Sequence, residues 1–128
     1  MASELKVDKF TGVTTAGSIL VTGEGNSTTT NLQQGLCKMW ARLNGQGTIA
    51  LDDSFNVGST TDNGTGQYTY TFSNNMSNAN FNVAHASGNQ IQIHSLSTTS
   101  SVKSLNRDQN NSNEDADPAF SNVHGDLA

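Results

Sequence analysis

The chain is short of nearly everything that announces an activity. Its one cysteine, Cys37, excludes an intrachain disulfide. Six Lys and Arg stand against eleven Asp and Glu, scattered without a basic stripe. With a pI near 4.8, that pattern excludes a nucleic-acid binder, which needs clustered cations. No apolar run approaches the ~20 residues a membrane-spanning helix requires, so no membrane insertion is expected. Met1 to Lys6 lacks the basic and apolar regions of a secretory signal, so synthesis in a cytoplasm is expected. Large apolar side chains are scarce too: Leu, Ile, Val and Phe together make 25 of 128 residues. That fraction borders on the disordered range, but disorder also needs high net charge, and −5 is modest. The expectation is a folded chain with a thin core.

What the chain has instead is Asn, Ser and Thr, at 16, 15 and 15 residues. Thr suits strands, and Asn and Ser suit turns through local bonds to the backbone. The length suits one β-rich domain over 1–128, in which 1–29 serves as an N-terminal attachment arm. A thin core is often completed by identical neighbours. An obligate homo-oligomer, a trimer, is therefore expected, with a small monomeric sandwich as the alternative.

The most informative stretch is residues 53–72. Phe55 and Val57 alternate with polar neighbours, as do Tyr68, Tyr70 and Phe72 with Gln67, Thr69 and Thr71. Period-two alternation predicts two half-buried strands. Asp62-Asn63-Gly64-Thr65-Gly66 between them offers the positive φ of a reversal, so a hairpin is predicted. Further strands are predicted at Leu5–Phe10, at 18–22, leading in at 48–51, at 81–85 (Phe81, Val83, His85), at 90–96, near 100–106 and at 119–125. Asn110 to Asp117 reads as an exposed acidic loop.

One amphipathic helix is predicted over about residues 30–44. Leu32, Leu36, Met39, Trp40 and Leu43 fall on a 3.6-residue period, and together form the predicted core or oligomer interface. Thr30 and Gln33 suggest a capping box, and Asn44-Gly45 a stop. Gly35 suggests a close backbone approach. Part of this segment also fits a strand. The fold class is thus mainly β: a small antiparallel β-sandwich or β-roll with one helix.

Sites are few. His85, His94 and His124 lack His-x-His spacing and a Cys partner, so strand-surface histidines are preferred to a metal centre. Asp52-Asp53 and Glu114 to Asp117 lack the ordered spacing of an EF-hand. No Ser sits in a Gly-x-Ser-x-Gly elbow, and Cys37 reads as a small buried thiol. No catalytic residue, metal or cofactor is expected. For surface recognition the candidates are Tyr68, Tyr70, Asp62 and Asn63. The tyrosines divide evenly between packing and stacking on a sugar; Trp40 is assigned to the core or trimer axis.

The block Leu32 to Trp40, Asp53 to Val57, and Thr61 to Gly66 with Tyr68-Thr69 resembles a module of tail-fibre and other virion surface proteins of tailed phages, especially marine phages and cyanophages. Met76 to Phe81 and Asn122 to Asp126 resemble its following and last strands. The resemblance runs from about Leu32 onward. It implies a trimer near an exposed tip. The expected role is a non-enzymatic virion protein, a fibre or tail-fibre component for host attachment. Its partners would be copies of itself, other virion proteins and a host-surface glycan; its place would be the virion. A capsid decoration protein, a monomeric carbohydrate-binding module and a small hydrolase are the alternatives.

Overall fold

The computed structural model describes residues 4–13, 19–23, 25, 27–88 and 91–128, with 91 and 92 described in backbone only. Ser18 and Gln90, at the starts of two predicted strands, lie outside the described residues. The chain divides into two units, Met1–Gly35 and Leu36–Ala128.

In the first unit, β1 (Leu20–Thr22) pairs antiparallel with β2 (Thr29–Asn31). A single turn of helix, α1 (Leu32–Gly35), follows. Asn31 caps it: its Oδ1 accepts from the backbone N–H of Gln33 (2.8 Å) and Gln34 (3.3 Å). The cap is therefore Asn31, not Thr30. The strand predicted at Leu5–Phe10 is absent, since residues 4–13 form no strand. Leu5, Val7 and Phe10 are exposed there, so the alternation has no core to face.

The second unit is mainly β. Its strands are β3 (Met39–Asn44), β4 (Ala50–Phe55), β5 (Val57–Asp62), β6 (Gln67–Phe72), β7 (Asn82–Ser87), β8 (Ile91–Thr98), β9 (Ser101–Arg107) and β10 (Ala119–His124). They make two four-stranded antiparallel sheets, ordered β4-β3-β10-β7 and β5-β6-β9-β8. Inward residues of both sheets form one cluster. Met39, Ala41, Leu43, Ala119 and Val123 come from the first, and Tyr68, Tyr70, Phe72 and Val102 from the second. The fold is β-sandwich-like, with both sheets open at their edges.

The predicted helix over 30–44 is corrected. Helix covers only Leu32–Gly35, and Met39–Asn44 is strand β3. Met39 and Leu43 satisfy both periods, while Trp40 fits only the helical one. Pairing with β4 and β10 gives the backbone its bonds, beginning with Lys38 N–H to the Val123 carbonyl (2.8 Å). Gly35 does not mark a close approach either, since an added Cβ there meets nothing within 4 Å.

Asn56 divides what alternation presents as one strand. It has φ 57°, a region Asn tolerates better than most side chains. Its Nδ2 donates to the carbonyls of Lys38 (2.9 Å) and Asn74 (3.1 Å), and its Oδ1 accepts from Asn74 N–H (2.7 Å). Phe55 thus ends a strand of one sheet and Val57 begins a strand of the other.

Candidate functional site

Four places have geometry to weigh. The first is the outer face of the β4-β3-β10-β7 sheet. In β3, Met39, Ala41 and Leu43 point inward, so Trp40 and Arg42 point outward. Trp40 lies opposite Phe55 of β4 on one side and Asn122 of β10 on the other; Arg42 lies opposite Asp53 and Phe120. Trp40, Phe55 and Phe120 remain 39%, 50% and 40% exposed. An ion pair joins Arg42 to Asp52. The result is a row of accessible rings interleaved with a guanidinium, carboxylates and an amide.

The second is a polar cavity of about 420 Å³ lined by Gln46, Asp108, Asn110, Glu114, Ala116 and Asp117, among others. The Asp108 carboxylate is already engaged, its Oδ1 accepting from the N–H of Asn110 (2.9 Å) and Ser112 (2.7 Å). Behind this loop Tyr68 is buried. Its hydroxyl lies 3.0 Å from Asp115 Oδ1 and 3.2 Å from the Gly45 carbonyl, and accepts from Ala116 N–H (3.3 Å). Burial drives its pKa well above the usual phenol value, and the Asp115 carboxylate adds to the rise. Gly45 is required here because an added Cβ would stand 2.1 Å from the Tyr68 hydroxyl.

The third is His85 on β7. Its Nδ1 lies 2.7 Å from Ser121 Oγ, and its ring stacks on His94 of β8 at 5.9 Å and 14°. Burial, and after it His94, pushes its pKa down to about 4. A Ser–His contact is the start of a nucleophilic pair, but Ser121 is 2% exposed and presents nothing to a substrate. Nearby, the Tyr70 hydroxyl faces Ser121 and Ser104, and burial raises its pKa against the lowering effect of these two hydroxyls. Among the described residues no three His, Cys, Asp or Glu converge as a metal site. No described helix is long and apolar enough to cross a membrane. Cys37 is half-buried, its thiol 2.9 Å from the Met39 carbonyl.

The fourth is the hairpin turn. Asp62 and Asn63 are exposed, as expected. Asp62 Oδ1 accepts from Gly64 N–H (2.8 Å), and Asn63 Nδ2 donates to Thr69 Oγ1 (2.8 Å). Both side chains thus serve the turn. Positive φ falls on Gly64 and Gly66.

The structure therefore redistributes the predicted residues. Tyr68 and Tyr70 are fully buried and cannot stack on a ligand. Met39 and Leu43 are core of their own chain, while Leu36 and Trp40 are exposed, at 52% and 39%. Leu32 is half-buried. These five form no common stripe. Phe55 and Phe120 were missed as face residues; the signal was Phe120 alternating with Ala119 and Ser121, and Phe55 with Ser54. Comparison with protein-family models, with curated proteins and with solved structures gives no match.

Proposed function

We propose that the chain is a non-enzymatic structural protein of a tailed-phage virion, a homotrimeric fibre or tail-fibre component that meets the host surface. The resemblance of Leu32 to Trp40, Asp53 to Val57, Thr61 to Gly66 and Asn122 to Asp126 supports the virion part. The exposed row of Trp40, Phe55 and Phe120 carries the attachment part. Rings that remain open, with Arg42, Asp53 and Asn122 among them, offer a sugar both a flat apolar face and hydrogen-bond partners. The glycan site thus moves from the buried tyrosines to the outer sheet face.

Titration with host-surface polysaccharide, followed by Trp40 fluorescence, tests this. Binding protects Trp40 from quencher, and W40A with F120A, which removes the chain's one tryptophan and is therefore followed by calorimetry, lowers affinity at least tenfold while the fold persists. Unchanged binding in that double variant would remove the face from the account. Antibody labelling of the virion in the electron microscope separates a tail position from capsid three-fold positions, where a decoration protein sits. The same aromatic row also favours a second reading, a monomeric carbohydrate-binding module, for which native mass would return one copy with the glycan bound.

A further inference from the structure

The interior of the sandwich has two chemistries. Along β3 and β6 it is filled by Met39, Leu43, Tyr68 and Phe72. Toward β7 and β8 the inward positions turn small or polar: Ser104 and Asn106 of β9, Ser121 of β10, and His85 and Ser87 of β7. The two sheets meet through these side chains. His85 stacks on His94 of β8, and the Tyr70 hydroxyl faces Ser104 of its own sheet and Ser121 of the other.

Some polar atoms of this seam are buried without a protein partner. Asn106 is 0% exposed, and neither its Nδ2 nor its Oδ1 is bonded to another group of the chain; His85 Nε2 is likewise buried and unbonded. A primary amide offers two donors and an acceptor with two lone pairs. Leaving it unmet in an interior is costly, so buried polar groups are met by protein or by ordered water. The surroundings suit the second. The facing strand β10 presents only the short side chains Ala119 and Ser121 at this end.

We infer that the seam between β9 and β10 is an internal hydration site, with ordered water seated on the Asn106 amide between the two sheets. Chemistry selects this ligand. The donor and acceptor of one amide suit a molecule that both accepts and donates. The inward positions of β7, β9 and β10 hold no Asp, Glu, Lys or Arg to balance an ion, and among the described residues no three His, Cys, Asp or Glu converge on a metal. An apolar guest would leave the amide unmet, and full burial leaves a larger polar molecule no way in. A supply of water is close. The Asn106 carbonyl accepts from Glu114 N–H (3.2 Å), and Glu114 lines the polar cavity.

A high-resolution crystal structure of the full chain, with oxygen-17 relaxation dispersion in solution, tests this. The crystal is expected to show an ordered water about 2.7–3.2 Å from Asn106 Oδ1 or Nδ2, and the dispersion a long-lived water. N106L keeps the volume and removes the bonding groups. With its circular dichroism unchanged, it is expected to lose the crystal water and at least one long-lived water per molecule. Should N106L fail to fold, the wild-type crystal decides. Both amide atoms bonded to protein groups with no water beside them would overturn the site, as would an undiminished dispersion in folded N106L.

Discussion

Strands β3 and β6 are both six residues long and both alternate, yet they dispose of their aromatics in opposite ways. β6 turns Tyr68, Tyr70 and Phe72 into the sandwich and Gln67, Thr69 and Thr71 outward. β3 buries Met39, Ala41 and Leu43 and leaves Trp40, the chain's one tryptophan, on the outer face. Residue type does not decide which ring is buried; the company on the alternate positions does. In β6 the alternate positions are all polar, so the rings take the interior. In β3 both sets contain apolar residues, and the set that completes the cluster with Tyr68 and Val102 is the one without the ring.

The contrast is broken most forcefully at Tyr68. Y68A removes a fully buried ring and strands the groups around Asp115 and Gly45, so chemical denaturation should show a loss of about 3–5 kcal/mol. A loss below about 1 kcal/mol would place Tyr68 outside the core. Next in size is His85. Its folded pKa is about 4 against 6.5 for the free side chain, so the unfolded chain binds the proton first. Stability is therefore full above pH 6.5 and falls as pH drops toward 4, by at most about 3 kcal/mol. In H85L that slope should flatten relative to wild type in unfolding curves taken across this window; an unchanged slope would assign it to the carboxylates.

Smaller effects sharpen the boundary between the sheets. N56A leaves a side chain at φ 57° without its amide bonds to Lys38 and Asn74, at a cost of about 1–3 kcal/mol. N56G relieves the backbone and should recover part of it, a difference readable as midpoint shifts in urea. The smallest effect belongs to Trp40. W40A should change folding stability by about 1 kcal/mol or less, and a loss comparable to that of Y68A would mean the ring is core.

Part of the β architecture was legible where a strand alternates cleanly: β6 sets Tyr68, Tyr70 and Phe72 against Gln67, Thr69 and Thr71. The site was not. Leu32, Leu36, Met39, Trp40 and Leu43 fit a helix stripe, part of the segment also fits a strand, and local periodicity cannot see the pairing partners β4 and β10 that decide between them. Leu5 to Phe10 shows the converse, alternation with no sheet to join. The division at Asn56 was invisible because Phe55 and Val57 keep the rhythm while the chain changes sheets.

The most direct measurement is collisional quenching of the single tryptophan by a neutral quencher in the native protein, with its oligomeric state fixed by native mass. An outward Trp40 predicts red-shifted emission and ready quenching. Blue-shifted emission shielded from quencher in a protein whose native mass is one copy would contradict the arrangement, because the ring would then lie inside its own chain.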